Sequence, residues 1–322
     1  MSQPATARTP KTRDRGAEEN SAKIGLVRRV TEIVAARHDG SLGDDHIKLA
    51  QVLIMCSLPH SKTSETHLVR RARLGDGTTL AVTFTAMRKD VPLPYGRDRK
   101  LLAWILDRAI QHNSSFVPWG AASEYQKAVG GEGNGRFNAQ LRERFRRISS
   151  LGITIDRVQP ASVNESVTYS LVHKARLPKS ITGTSTKQQA LPGMEDEPQG
   201  MTLTPALFDD IRRYHHVLPR RLWQLLNGPS QIQDLVLWML VRCFAAASES
   251  LIPWDALKDQ FSAEDSNPWR LKARVKEAVK ILNTLWAEAT VTVEESGIRV
   301  QRVPVPLLPD DPEKGRKRRL GS

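Results

Sequence analysis

The 322-residue chain carries 48 Lys+Arg against 35 Asp+Glu, a formal net charge of +13 and a pI near 10.0, so its excess positive potential points to a polyanionic partner. With 39% hydrophobic residues it can bury a full core, and its length fits two domains better than one. Cys56 and Cys243 each sit in an apolar run, as buried thiols of a reducing compartment do, which leaves no support for a disulfide or zinc scaffold. The longest apolar run, Leu235 to Ala247, is broken by Arg242 and too short to span a bilayer, which excludes a transmembrane helix.

Residues 1–20 mix Pro, Thr, Arg and acids with no apolar segment and read as a disordered basic arm without a secretory signal, so a cytoplasmic location is expected. Ala22 to Arg37 reads as a helix, with Ile24, Val27, Val30 and Val34 at helical spacing; it either packs on the first domain or makes a homodimer contact. An apolar stretch from Lys48 to Ser57 ends at Pro59. Leu68 to Leu74 and Thr78 to Phe84 flank Gly75-Asp76-Gly77 as a β-hairpin. Pro92 to Gly96 introduces a helix whose Leu101, Leu102, Ile105, Leu106 and Ala109 cover the wide arc of a buried central helix.

A short helix over Ser123 to Val129 then runs into the glycine-rich turn Gly130 to Gly135 and an arginine-loaded helix, Arg136 to Ile148. Phe137, Leu141, Phe145 and Ile148 form one apolar stripe of that helix, with Arg136, Arg142, Arg146 and Arg147 on the other side. Arg144 flanks the stripe, where an internal acidic partner suits it. Alternating strands over Ile153 to Val158 and Val167 to His173 complete a helix-turn-helix with a wing.

Pro178 to Gly200 lacks periodicity and reads as a linker or surface loop. Beyond it Leu203 to Arg213 and Leu218 to Asn227 read as helices, and Ile232 to Ala246 as the centre of a second core. Ile252 to Phe261 forms the short helix before a second turn. Asn267-Pro268 caps a long helix with Leu271, Val275, Ala278, Leu282 and Leu285 inward and Arg270, Lys276 and Lys280 outward. Ala289 to Val293 and Ile298 to Val303 make a second hairpin. The expected fold is therefore mainly α with small β-hairpins (α+β), as tandem winged-helix domains: a disordered arm over 1–20, a first domain over 21–177, a linker over 178–200, a second domain over 201–307 and a basic disordered tail over 308–322.

Reading DNA needs a helix that fits the major groove and carries Arg, Lys, Asn or Gln for base edges and phosphates. Arg136, Asn138, Arg142, Arg146 and Arg147 meet that demand in the first domain, and Arg270, Lys276 and Lys280 in the second; a merely solvated charged face is the competing reading of each. Enzymatic alternatives fail on their own residues, and no catalytic residue, metal site or cofactor is expected. Gly130 and Gly135 have P-loop spacing, but Arg136 stands where the phosphate-binding Lys belongs and Phe137 where the magnesium-binding hydroxyl belongs. Tyr214-His215-His216 has adjacent histidines rather than two flanking one residue, as a nicking enzyme would want. Asp44-Asp45, Asp209-Asp210 and Asp310-Asp311 put neighbouring carboxylates on different sides, a poor two-metal arrangement. Trp104, Trp119, Trp238, Trp254 and Trp286 lie in apolar patterns and read as core, whereas Trp223 and Trp269 have no clear setting. Gln188 to Met194 resembles the short Gln/Leu peptides that dock on a replication sliding clamp.

Leu58-Pro59-His60-Ser61-Lys62, the Gly-turn hairpin, Leu93-Pro94-Tyr95-Gly96 with the Leu101-Leu102-Ala103-Trp104 helix, and Arg136 to Ser150 together resemble, in order, the plasmid-encoded replication initiators of the RepA type. Met201-Thr202-Leu203-Thr204 with Phe208, Leu235-Val236-Leu237-Trp238, and Ile252 to Leu257 with Phe261 extend the resemblance to about Leu53 to Val303. It implies binding to double-stranded origin DNA, often at direct repeats, opening of the adjacent duplex and recruitment of host replication proteins. A repressor using the same helices without melting DNA is the alternative.

Overall fold

The computed structural model describes residues 15–43, 45–119, 122–128, 135–159, 164–176, 199–226, 230–245, 248–262, 267–286 and 291–303. The glycine turn Gly130 to Asn134, the clamp-like Gln188 to Met194, residues 1–14 of the arm, residues 178–198 of the linker and the 308–322 tail lie outside the described residues. The fold is mixed α+β with four small antiparallel sheets among those residues, so it carries more strand than the mainly α expectation.

The first described element is α1 (Arg15–His38), which starts seven residues before the expected Ala22 and takes in the end of the arm expected to be disordered. A 3-10 turn at Ser41–Gly43 leads to β1 (His46–Ala50) and the short α2 (Gln51–Met55), which divide the stretch read as one apolar segment. The hairpin β2 (His67–Arg73) and β3 (Thr79–Ala86) forms as expected, and the turn explains itself locally. Gly77 has φ 87°, a region open to glycine, while Asp76 Oδ1 accepts from the Thr78 amide at 2.9 Å. Then come α3 (Asp98–Gln111), β4 (Phe116–Pro118), α4 (Ala122–Ala128), α5 (Gly135–Ser149), β5 (Leu151–Val158), β6 (Glu165–Ser170) and β7 (Val172–Arg176).

The later half holds β8 (Gly200–Leu203), α6 (Pro205–Arg213), β9 (His215–Pro219), α7 (Arg220–Leu225), α8 (Ser230–Ala245), β10 (Ser250–Pro253), α9 (Trp254–Phe261), α10 (Pro268–Leu285), β11 (Val291–Val293) and β12 (Gly297–Val300). Strands therefore precede three helices that the sequence reading starts too early: β8 before α6, β9 before α7 and β10 before α9. Each strand pairs with residues distant in the chain, which local periodicity cannot report. Gly297 shows how close such pairing comes, since a Cβ there would lie 2.1 Å from the Ile252 carbonyl oxygen.

One order of elements occurs twice. A buried helix, a strand, a short helix, a long basic helix and two strands run as α3-β4-α4-α5-β5-β6 and again as α8-β10-α9-α10-β11-β12. In the second copy β10 pairs with β12, and β12 with β11, giving a three-stranded sheet within the copy. The first copy differs. Its β5 pairs with both β6 and β3, so the first hairpin joins a four-stranded sheet β2-β3-β5-β6, and β4 pairs with β8 instead, which in turn pairs with β7. The strand β8 thus crosses the boundary expected after residue 200 and completes the earlier half.

Nearly all the buried hydrophobic residues form one continuous cluster across both halves. β1 pairs with β9, α9 packs on β2, and α1 packs on α7 and α10, where Arg37 reaches the Leu285 carbonyl and stacks on Trp286. Ion pairs reinforce these joints. Arg220 bonds Asp45 at 3.0 Å and Asp107 at 2.9 Å, Arg157 meets Asp210 at 2.7 Å, and Arg99 pairs with Asp234 while donating to the carbonyls of Leu58 and Pro59. Trp104, Trp119, Trp223, Trp238 and Trp286 are buried, Trp254 is half-buried and Trp269 is exposed. Burial pushes both cysteine thiols up, Cys243 to about 12, so both stay protonated. No described helix is long and apolar enough to cross a membrane.

His60, from the Leu-Pro-His motif, sits at a joint between the halves. In the tautomer selected by its neighbours, Nε2 donates to the Phe261 carbonyl at 3.1 Å, and Nδ1 lies 3.4 Å from the Ser230 hydroxyl. Burial holds its pKa well below the ordinary 6.5, aided by the charges of Arg99 and Arg70 and opposed by the Phe261 bond. The folded state therefore keeps His60 neutral where the unfolded chain already takes up a proton. The His60 contribution to stability is full above pH 6.5 and falls as the pH drops toward the folded-state value. His60→Gln, a neutral side chain of similar reach, should flatten that part of the pH profile in urea melts. Asp107 and Asp210, whose pKa values burial raises, act with the opposite sign but are present in both proteins, so the difference isolates the imidazole. Parallel profiles would refute the assignment.

Candidate nucleic-acid interface

In the first copy the basic helix α5 is fixed by an aromatic cluster. The Phe145 ring meets Trp119 edge-on at 4.5 Å, Trp119 meets Trp104 at 5.8 Å, and Trp104 meets Tyr125 of α4 at 5.6 Å. Leu141, Phe145 and Ile148 are buried as the stripe predicts. The side chains of Arg136, Phe137 and Asn138, in the first turn of α5, lie outside the described residues.

The remaining arginines divide in a way the periodicity does not resolve. Arg142 and Arg146 are exposed, with Gln140 and Glu143 beside them. Arg146 pairs with Asp90 in the loop after β3 and lies 3.9 Å from Glu143, so part of its charge is compensated. Arg144 is buried 3.8 Å from Asp98 and donates to Gln140, as its flanking position suggests. Arg147 requires a correction. Its side chain is only 13% exposed, it grips both Asp98 oxygens at 2.6 and 2.9 Å, and it stacks on Tyr95 at 4.8 Å. It anchors α5 to the start of α3 instead of facing outward.

Two groups of exposed basic residues escaped the sequence reading. Arg88 and Lys89 stand beside the C-terminal end of α5, because the Ser150 carbonyl accepts from the Met87 amide at 2.8 Å and the Ser150 hydroxyl from the Arg88 amide at 3.1 Å. The adjacent Arg-Lys pair after a strand was the available signal. Lys174 and Arg176 are exposed on β7, at the edge of the β4-β8-β7 sheet.

The second basic helix matches its expected geometry closely. The Asn267 side chain accepts from the Trp269 amide at 3.0 Å, capping α10 with Pro268 in its first turn. Leu271, Val275, Ala278, Leu282 and Leu285 are all buried, and Arg270, Lys276 and Lys280 are all exposed. Arg274 meets Glu277 at 3.3 Å, which ties up the acidic group on this face. Arg299 of β12 pairs with Glu294 in the turn after β11 and with Glu249 just before β10. The α10 face is thus solvent-facing, cationic and mounted on a buried apolar stripe, a form that suits phosphate binding and base contact, while α5 presents Arg142 and a partly compensated Arg146 above a stripe of the same kind.

The histidines set aside in the sequence form no paired ligand set. His215 and His216 are successive residues of β9, whose side chains point to opposite sides of the β1-β9 ribbon, and His215 Nδ1 bonds the Ile211 carbonyl at 3.0 Å.

No family model and no curated protein matches the chain. It is similar to two solved structures of domains 2 and 3 of RctB, at 11% identity in each case. One aligns with a TM-score of 0.47 over 79% of this chain and 99% of that one, and the other with 0.42 over 78% and 95%.

Proposed function

We propose that the chain is a non-enzymatic DNA-binding replication initiator, with each six-element copy acting as a winged-helix unit that places its basic helix, α5 or α10, in a major groove. The observation that carries this reading is the repeat itself. Two copies of one order each end in an exposed basic helix, of 15 and 18 residues, followed by two strands. Helices of that length extend about 22 and 27 Å, enough to track a groove across several base pairs. Two such units joined by a shared core would engage successive grooves of one origin repeat, followed by opening of the neighbouring duplex and recruitment of host replication proteins. Assignment to the RepA type and to a plasmid rests on the motif resemblance.

Footprinting the protein across its own neighbouring DNA, followed by a replication assay of a small circle carrying the protected site, tests the reading. Protected direct repeats together with copying are expected. Binding without copying would favour a repressor, and nicked covalent adducts would favour an enzyme. Within the site, Arg142→Ala should weaken specific binding by about 1–3 kcal/mol and relax preference at one base position. Unchanged affinity and selectivity in a competition titration would remove Arg142 from base reading, and the same result for Arg146→Ala as well would remove α5.

A further inference from the structure

Trp269 does not fit a purely electrostatic face. Its side chain is 75% exposed in the first turn of α10, although a tryptophan offers the fold more buried apolar area than almost any other residue. The ring also has a contact that links it to the fold. Lys272 Nζ lies 5.6 Å from the Trp269 ring centroid and 5.0 Å from that of Trp254, and Trp254 Nε1 donates at 2.8 Å to the Glu295 carbonyl between β11 and β12. With the Asn267 cap accepting from its backbone amide, Trp269 is presented to solvent from an ordered first turn.

Its neighbours along the helix define what could cover it. Steps of four, three and four residues put Trp269, Ala273, Lys276 and Lys280 on one exposed stripe, away from the buried Leu271, Val275 and Leu282. Ala273 is small, so nothing there holds a partner away from the helix. A fitting occupant offers an apolar group to the first turn and anionic groups to Lys276 and Lys280 further along. In the major groove of duplex DNA the apolar group on a base edge is the thymine C5 methyl, flanked by phosphates, and the N-terminal residues of a groove-bound helix are those that reach base edges.

We infer that Trp269 is a specificity-determining residue that packs on a thymine methyl in the major groove. This rests on the DNA-binding reading above. The test uses the full chain and its footprinted duplex, with each thymine replaced singly by uracil, which removes the methyl and leaves the pairing unchanged. Wild-type affinity should fall about fourfold at one or two positions, the value of one methyl-sized group withdrawn from an apolar contact. Trp269→Ala, at an exposed site, should bind more weakly and lose the response to uracil there. Indifference of the wild type to every uracil, an equal uracil penalty in Trp269→Ala, or a variant defect confined to single-stranded DNA would each overturn the inference while leaving duplex binding intact. Absence of any duplex binding by the wild type would remove the DNA reading itself.

Discussion

Asp98→Ala should be the most destabilising charge removal in the first copy, costing about 3 kcal/mol in urea-monitored unfolding, the lower part of the range for breaking a buried ion pair. The carboxylate is 2% exposed and gathers three donors: the Tyr95 amide at 3.0 Å and the two Arg147 nitrogens at 2.6 and 2.9 Å, with Arg144 at 3.8 Å. Deleting it takes the counter-charge from two guanidinium groups that are only 10% and 13% exposed, although Arg144 keeps its bond to Gln140. Their slight access to water lets them relax outward, which keeps the cost below the upper end of about 5 kcal/mol. Because Asp98 ties the start of α3 to the end of α5, the same variant should also bind DNA more weakly although Asp98 touches no exposed surface. A loss of less than about 1 kcal/mol, the level of an exposed pair, would show that the aromatic cluster alone fixes α5.

The combined change Arg270→Ala, Lys276→Ala and Lys280→Ala should leave the unfolding midpoint nearly unchanged and sharply reduce DNA affinity for every sequence. All three side chains are exposed, and the apolar stripe that seats α10 is untouched. Each phosphate left without its cation should shallow the slope of log affinity against log salt by about 0.9, hence by about 2.7 if all three side chains meet phosphates. Filter-binding titrations over a range of salt concentrations measure this directly. A parallel loss of affinity with the original slope would mean that these residues do not displace counterions, and α10 would then drop out as a phosphate-binding face. The contrast with Arg142→Ala is diagnostic, since a base-reading side chain changes selectivity more than salt slope.

Both tests depend on a distinction visible in some residues and hidden in others. The two faces of α10, its Asn267 cap and the Gly77 turn are legible because the interactions that fix them lie within about four residues along the chain. Three of the arginines of α5 looked equivalent for the opposite reason. Arg142, Arg146 and Arg147 all lie off the apolar stripe, and what separates them is the position of Asp90, 56 residues from Arg146, and of Asp98, 49 residues from Arg147. The strands β8, β9 and β10 were missed on the same ground. Their partners lie far along the chain, and the adjoining helices carry the stronger local pattern.

What the sequence determined by itself is the cationic character of the chain, the position of the two basic helices and the recurrence of a short helix, a long basic helix and two strands. These follow from composition and short-range periodicity. Tertiary structure alone decided that the first hairpin joins the β5-β6 strands in one sheet, that β8 completes the earlier half, that α1 packs on α10 and that Arg147 faces inward while Trp269 faces out. Pairing between distant strands and the burial of a charge beside its counter-charge depend on which surfaces meet, and spacing along the chain carries no record of that meeting.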